Sequence, residues 1–202
     1  MPSLVGSEMC IRDRDEITEE MLSKYQCIYI EGYLLVNEPL VRSTMEKAKK
    51  LGLKVALDLS NFNIVNAFKG MLEDIIPKYV DILFSNESEA EAFTGQKAAE
   101  AVHTLSELVE VSLVTLGKEG ALIGSHGQFY SVPAEGGKPV DTTGAGDNFA
   151  AGFLYGQSIG ASLVQSARIG SMLAGYVIDV VGPEIPYDKW EQIKLKVKGI
   201  LA

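Results

Sequence analysis

From Asp15 onward the chain alternates between two hydrophobic periods, short β-branched runs and longer stretches with a helical repeat. The short runs predict strands at Cys27–Glu31 and over residues 54–59, 81–85 and 112–116. Between the first two, Leu40, Val41, Thr44, Met45 and Ala48 share one face of a helix predicted over residues 37–51. Lys47, Lys49 and Lys50 stand near its end, where cations suit the helix dipole, and Gly52 closes it. A second helix is predicted over 65–76 with a stop near Pro77, and a third over 87–93 before Gly95. His103 also falls on a helix. Residues 121–124 and 128–133 read as a hairpin turning around Ser125, His126 and Gly127. Two apolar helices follow, Ala145–Ser158 and 161–177, whose Ala and Gly content predicts close packing, and then a lysine-rich amphipathic helix over 187–201. Strands alternating with helices predict an α/β fold with a mostly parallel sheet covered by helices.

Residues 3–14, SLVGSEMCIRDR, follow neither period and resemble a translated sequencing adapter of the kind found at the ends of metagenomic gene predictions. Residues 1–14 are therefore set aside as unstructured, and residues 15–202 are read as one unit with no internal repeat.

Composition narrows the function. With 202 residues, 47% of them hydrophobic, the chain can bury a substantial core. The net charge of −9, without a Lys/Arg-rich block, argues against nucleic acid and anionic membrane as partners. Cys10 and Cys27 are too few for a disulfide framework, and His103 and His126 lack ligand-like neighbours, so a reducing, cytoplasmic setting is expected. No stretch approaches the roughly 20 apolar residues that cross a bilayer.

The chemistry concentrates in Asp141-Thr142-Thr143-Gly144-Ala145-Gly146-Asp147, which joins the β-rich segment to a helix. Amides at a helix N-terminus lack internal partners and the dipole is positive there, so a Gly-rich entry forms an anion site. Asp147, in the first turn, would repel a phosphate unless its carboxylate is needed to take a proton from an attacking hydroxyl, which makes it a candidate general base. The bland alternative is an N-cap at Thr143 with a dipole-friendly acid behind a tight turn. No Gly-x4-Gly-Lys-Ser/Thr P-loop occurs, and Gly144-x-Gly146-x-x-Phe149 lacks the third small residue of a dinucleotide fingerprint.

The longer segment 141–153, DTTGAGDNFAAGF, resembles the C-terminal signature of the ribokinase/PfkB family of sugar and nucleoside kinases. The resemblance implies a ribokinase-like three-layer α/β/α fold and transfer of the γ-phosphoryl group of ATP, with Mg²⁺, to an alcohol group of a sugar or nucleoside. It implies an anion hole from Gly144, Ala145, Gly146 and Asp147, with Asp147 as base. Some members hold a monovalent cation such as K⁺, which would lie near Asp141 and Thr143. Asn86-Glu87-Ser88-Glu89 resembles the family's Asn-x-x-Glu motif, implying Asn86 beside the phosphates and Glu89 holding Mg²⁺ through water. The same four residues make a good capping box, and both roles can coexist. Thr115, Gly117 and Gly120 match a Thr-x-Gly-x-x-Gly nucleotide segment, though a glycine pair at a strand end is also an ordinary turn. Ser171 stands where family members often place an Asn beside the adenine or ribose, and its bland reading is helix packing.

Glu31-Gly32-Tyr33 and residues 58–62, DLSNF, resemble adenosine-kinase-like members; Asp58 itself is read as a turn residue. The match corresponds only to the later part of a family member, so the N-terminal strands and substrate lid are expected to be missing and this piece to be poorly active alone. A homodimer of the intact protein is left open. A nucleotide-binding or regulatory module without catalysis is the rival reading.

Overall fold

The structure is a computed structural model that describes residues 17–136 and 139–202. The adapter-like segment 1–14 lies outside the described residues. The chain divides into two compact units, one of residues 1–113 with 124–127, the other of residues 114–123 with 128–202. Six strands run through them in the order β1-β2-β3-β4-β5-β6.

The first unit opens with the short helix α1 (Glu19–Leu22), followed by β1 (Cys27–Glu31), a 3-10 turn (Gly32–Val36), α2 (Glu38–Lys50) and β2 (Lys54–Asp58). β1 and β2 are parallel, with Cys27 opposite Lys54 and Glu31 opposite Asp58. Asn37 caps α2 by accepting the Leu40 amide at 3.2 Å, and Leu40, Val41, Thr44, Met45 and Ala48 are the buried face expected from the sequence. β2 continues in parallel pairing with β3 (Ile82–Asn86), and Val55, Ala56, Leu57 and Leu83 are fully buried. Such continuous apolar runs belong to strands covered on both faces.

Two expectations are corrected here. The predicted helix over 65–76 is two helices, α3 (Phe62–Ala67) and α4 (Lys69–Tyr79), broken at Phe68, whose ψ of 20° leaves the helical range. Pro77 does not stop α4 but sits inside its last turn. A proline there forfeits a single intrahelical amide, and Asp74, which accepts from Arg42 at 2.5 Å and pairs with Lys78, holds the same turn. The unit continues with α5 (Glu87–Thr94), ended by Gly95 at φ 74°, and α6 (Ala98–Ser106), the seat of His103. At the N-terminal ends of the strands, Asp81 accepts the Val55 amide at 2.8 Å and both Lys49 bonds at 2.8 Å, while Lys54 bridges Asp81 and Glu110.

β4 (Val111–Thr115) and β5 (Ala121–Ser125) carry the division between the units, and β6 (Gln128–Val132) follows. The hairpin turn is His126-Gly127, with φ of 48° and 74°. Two consecutive positive values match a type I′ turn, whose twist suits flanking strands. The second unit is completed by α7 (Ala145–Ser158), α8 (Leu163–Ile178), a 3-10 turn (Tyr187–Lys189) and α9 (Trp190–Leu201). α8 starts two residues later than expected because Ser162 and Gln165 form a reciprocal capping box. Ile169, Met172, Leu173 and Val177 of α8 share a buried cluster with Ile193 and Ile200 of α9. The expected closeness of α7 and α8 is extreme: a Cβ on Gly152 would lie 2.7 Å from the Gly170 Cα, and one on Gly170 would lie 2.5 Å from the Phe149 carbonyl oxygen. Among the described residues no helix is long and apolar enough to cross a membrane.

Candidate active site

Within the second unit, the 139–148 segment is tied to the residues after α8. The Val140 amide donates to the Ile178 carbonyl at 2.7 Å, which places the chain beside the end of that helix. Asp141 then spends both carboxylate oxygens: Oδ1 accepts from the Thr143 amide at 2.9 Å and the Thr143 hydroxyl at 2.7 Å, and Oδ2 accepts from the Gly182 amide at 2.9 Å. The Gly182 and Thr143 donors hold the Asp141 carboxyl below the usual carboxylate range.

Gly144 caps α7 at φ 77°, ψ 4°, and a Cβ there would lie 2.8 Å from the Pro183 Cβ. Glycine is therefore required twice over, by backbone sign and by space. The cap is Gly144, the residue before the predicted helix, and not the Thr143 of the bland alternative, whose side chain faces Asp141 instead. The Ala145 amide donates to Thr142, and the first regular bond runs from the Asn148 amide to the Gly144 carbonyl at 2.9 Å. The amides of Gly146 and Asp147 take no partner among the described residues, as expected at the open end of a helix. Gly146 and Asp147 are exposed, and nothing lies within 4 Å of a Cβ built on Gly146.

Thr115, Gly117, Gly120 and Ser171 belong to this same unit. Thr115 ends β4, Gly117 has φ 54°, and the Leu116 amide reaches the Gly120 carbonyl at 2.8 Å, closing a tight loop. A Cβ on Gly120 would lie 1.9 Å from the Val132 carbonyl oxygen, so this loop is pressed against the end of β6. Ser171, buried in α8, donates to the Pro133 carbonyl and accepts the Glu135 amide, both at 2.9 Å. Its hydroxyl thus pins the 133–135 segment to the helix, the packing role weighed in the sequence. Beside it, Gly136 and Gly175 approach so closely that a Cβ on Gly136 would lie 2.4 Å from the Gly175 Cα. These glycines edge a cleft of about 450 Å³ with Met172, Tyr176, Lys189 and Lys196 along its walls.

Asn86 and Glu89 lie in the first unit, at the end of β3 and in the first turn of α5. Asn86 accepts the Glu89 amide at 3.0 Å, while Glu89 accepts the Asn86 amide at 2.8 Å and its side-chain amide at 2.5 Å. Only 3% of Glu89 is exposed. That burial pushes its carboxyl up to about 7 against the Asn86 donors, with the Asp58 carboxylate adding to the rise. Asp58 behaves as the expected turn residue in accepting the Ser60 amide at 2.7 Å, and it also accepts the Tyr29 hydroxyl at 3.1 Å. Ser60 is held at φ 66°, and Gly32 packs so tightly that its Cβ would meet the Leu59 carbonyl at 2.7 Å. Nearby, Asn61 donates to the hydroxyl of the exposed Tyr33 at 3.0 Å. Sequence reasoning passed over Asp58 as part of a carboxylate pair and omitted Asn148, whose contacts appear only when the 181–184 segment is folded back.

The arrangement of tight β-turn, glycine cap and open helix end is accompanied by a direct match. Residues 8–190 fit the model of the pfkB family carbohydrate kinases. The chain belongs to that family.

This family member is 31% identical over 185 residues to an adenosine kinase of Saccharomyces cerevisiae, covering 84% of this chain and 54% of the yeast protein. It is similar in structure to a probable sugar kinase of Rhizobium etli, with a TM-score of 0.87 and 29% identity over 95% of this chain and 59% of that one. An adenosine kinase from Sinorhizobium meliloti gives a TM-score of 0.86 and 28% identity, covering 93% and 59%. The ribokinase-like α/β architecture expected from the sequence is therefore present. The chain spans a little over half the length of these relatives.

Proposed function

We propose that this chain carries the phosphoryl-donor portion of an ATP-dependent kinase that transfers the γ-phosphoryl group to an alcohol group of a sugar or nucleoside, adenosine among the candidates. The observation that carries this reading is the open end of α7, where the exposed Gly146 and Asp147 amides have no partner among the described residues and Gly144 is held at φ 77°. A phosphate group fits there, since no side chain crowds Gly146 and the helix dipole favours an anion. Asp147 would accept the proton of the acceptor hydroxyl as its oxygen bonds to the γ-phosphorus and the bond to the departing diphosphate oxygen breaks. The Gly144–Asp147 backbone would hold the charge on the phosphate oxygens. Thr115, Gly117 and Gly120 supply the strand-end loop for the rest of the nucleotide, in keeping with ligand binding beyond the carboxyl ends of parallel strands.

Mg²⁺, when bound with ATP, supplies charge neutralisation at the phosphates. Among the described residues no group of three His, Cys, Asp or Glu side chains converges as a metal cage. Glu89, buried and already hydrogen bonded, suits the water-mediated contact that Mg²⁺ tolerates. A monovalent cation such as K⁺ would lie near Asp141 and Thr143, where the Gly182 and Thr143 donors favour the ionised Asp141 carboxylate and the oxygens keep further lone pairs. The nucleoside preference rests on the adenosine-kinase-like residues at 31–33 and 58–62, where Tyr33 is exposed and steadied by Asn61.

The test is γ-labelled ATP with a panel of sugars and nucleosides, run to a long end point because turnover by this chain alone is expected to be low. Asp147→Asn should abolish labelled product while sparing ATP binding, since it removes the proton acceptor and leaves the backbone amides. Product formation at the wild-type level would sink the base assignment. ATP binding with no transfer to any acceptor in the wild type would favour the nucleotide-binding module.

A further inference from the structure

Asn148 makes contacts that neither the anion site nor helix packing requires. It sits one residue beyond Asp147 in the first turn of α7, half-buried, and its side-chain amide donates to two carbonyls, Gly144 at 2.9 Å and Pro183 at 3.3 Å. Both partners are acceptors, so only the NH₂ end of the side chain can face them. The Gly144 cap is thereby joined to the 182–183 turn from one side by Asn148, while Asp141 joins it from the other through Gly182. Pro183 packs against Gly144 between the two. A serine or threonine in this place would be too short, and has too few protons, to bridge both carbonyls.

We propose that Asn148 is a positioning residue for phosphoryl transfer, which with Asp141 clamps the 141–147 turn to the 182–183 turn and sets the open amides before a phosphate arrives. The proposal rests on the reading of that turn as the phosphate site. Pre-set donors need no reorganisation when charge appears, which is the source of their advantage over water. The clamp and a purely helical role predict opposite signs for one substitution. An aspartate in the first turn of a helix is favoured by the dipole, so Asn148→Asp should be neutral or stabilising if the residue only serves α7. In the clamp, a carboxylate would face two carbonyl oxygens with nothing to donate, and Asn148→Asp should be worse than Asn148→Ala.

Two measurements on the full chain test this. In the nucleotide-free protein, amide exchange at Gly182 should quicken in Asn148→Ala and more so in Asn148→Asp. Calorimetric titration with MgATP should show affinity falling roughly tenfold in Asn148→Ala, the scale set by losing one or two net hydrogen bonds, and further in Asn148→Asp. Unchanged Gly182 exchange in both variants overturns the clamp, whether or not ATP binds. Faster exchange with unaltered ATP affinity overturns the positioning role. A wild-type chain that takes up no ATP refutes the nucleotide reading itself, and Gly182 exchange still decides the clamp.

Discussion

The seam between α7 and α8 allows a substitution whose sign is set by geometry. A Cβ on Gly152 would lie 2.7 Å from the Gly170 Cα, 2.8 Å from the Gly170 nitrogen and 3.0 Å from the Ile169 carbonyl carbon. Carbon contacts are most favourable at about 3.5–4.0 Å, so Gly152→Ala requires the helices to part by roughly half an ångström or more. All three obstructing atoms are backbone, so no rotamer change relieves the clash. Overpacking of this kind costs about 1–3 kcal/mol, and the better helix propensity of alanine returns about 1 kcal/mol. With only backbone atoms obstructing the methyl group, the cost belongs in the upper part of that range, about 2–3 kcal/mol, and the net expectation is a loss of about 1–2 kcal/mol. Gly199 is the internal control, being exposed in α9 with nothing within 4 Å of its Cβ position. There only the propensity acts, and Gly199→Ala should stabilise by about 0.5–1 kcal/mol. Both glycines lie in the second unit with the chain's only tryptophan, Trp190, so its fluorescence during urea unfolding reports the relevant unit. With a urea slope of about 1–3 kcal/mol/M, the two variants should bracket the wild-type midpoint and differ by about 1 M. A Gly152→Ala midpoint equal to or above wild type would refute the claim that backbone contact at this seam is closed to a methyl group.

The remaining expectations concern the first unit. Because burial raises the Glu89 carboxyl to about 7 in the folded chain, the unfolded chain loses this proton first as pH rises. Glu89 should therefore make stability fall between about pH 4.5 and 7 and level off above. Glu89→Gln removes the charge but leaves one acceptor oxygen for the two donors of Asn86, so it should flatten that slope while giving back part of any gain at pH 8; a pH profile of urea midpoints identical to wild type would contradict the assignment. Asp81, with 13% of its side chain exposed, accepts from Val55 and Lys49. Asp81→Ala should cost about 1.5–3 kcal/mol by removing charge-assisted acceptors, and a midpoint shift that vanishes in low salt would show the ion pairs to be irrelevant.

Local signals made the skeleton legible. β1 and α7 have the predicted limits, and β3 and β4 are displaced by a single residue, because β-branched runs and glycine stops are encoded within a few positions. The capping box at Asn86 was readable for the same reason, and the one at Ser162 carried an equally local signal that the periodicity of 161–177 obscured. The break at Phe68 was hidden because the apolar repeat runs through it while the backbone of a single residue departs. The second anchor of the 141–147 turn was hidden more deeply. Asp141 to Gly182 and Asn148 to Pro183 join residues 41 and 35 positions apart, and no local period encodes such a pairing.

That separation bears on how the signature works. Asp141, Gly144 and Asn148 all make contacts with the single turn at 182–183. Gly146 and Asp147, between the last two, have no amide partner among the described residues, and both are exposed. Residues three to four positions apart on the chain thus anchor the turn, while those between them face solvent. Helical geometry explains part of the division, since Gly144 and Asn148, four apart, fall on one face at the start of α7 and Gly146 lies opposite, while Asp147 flanks that face and is exposed. Anchoring and the proposed chemistry occupy neighbouring positions in sequence, so an anchor substitution should loosen the turn without removing any group proposed to touch the phosphate. Asn148 and Asp147 are adjacent, and loss of the first should appear in ATP affinity, whereas loss of the second should appear in transfer.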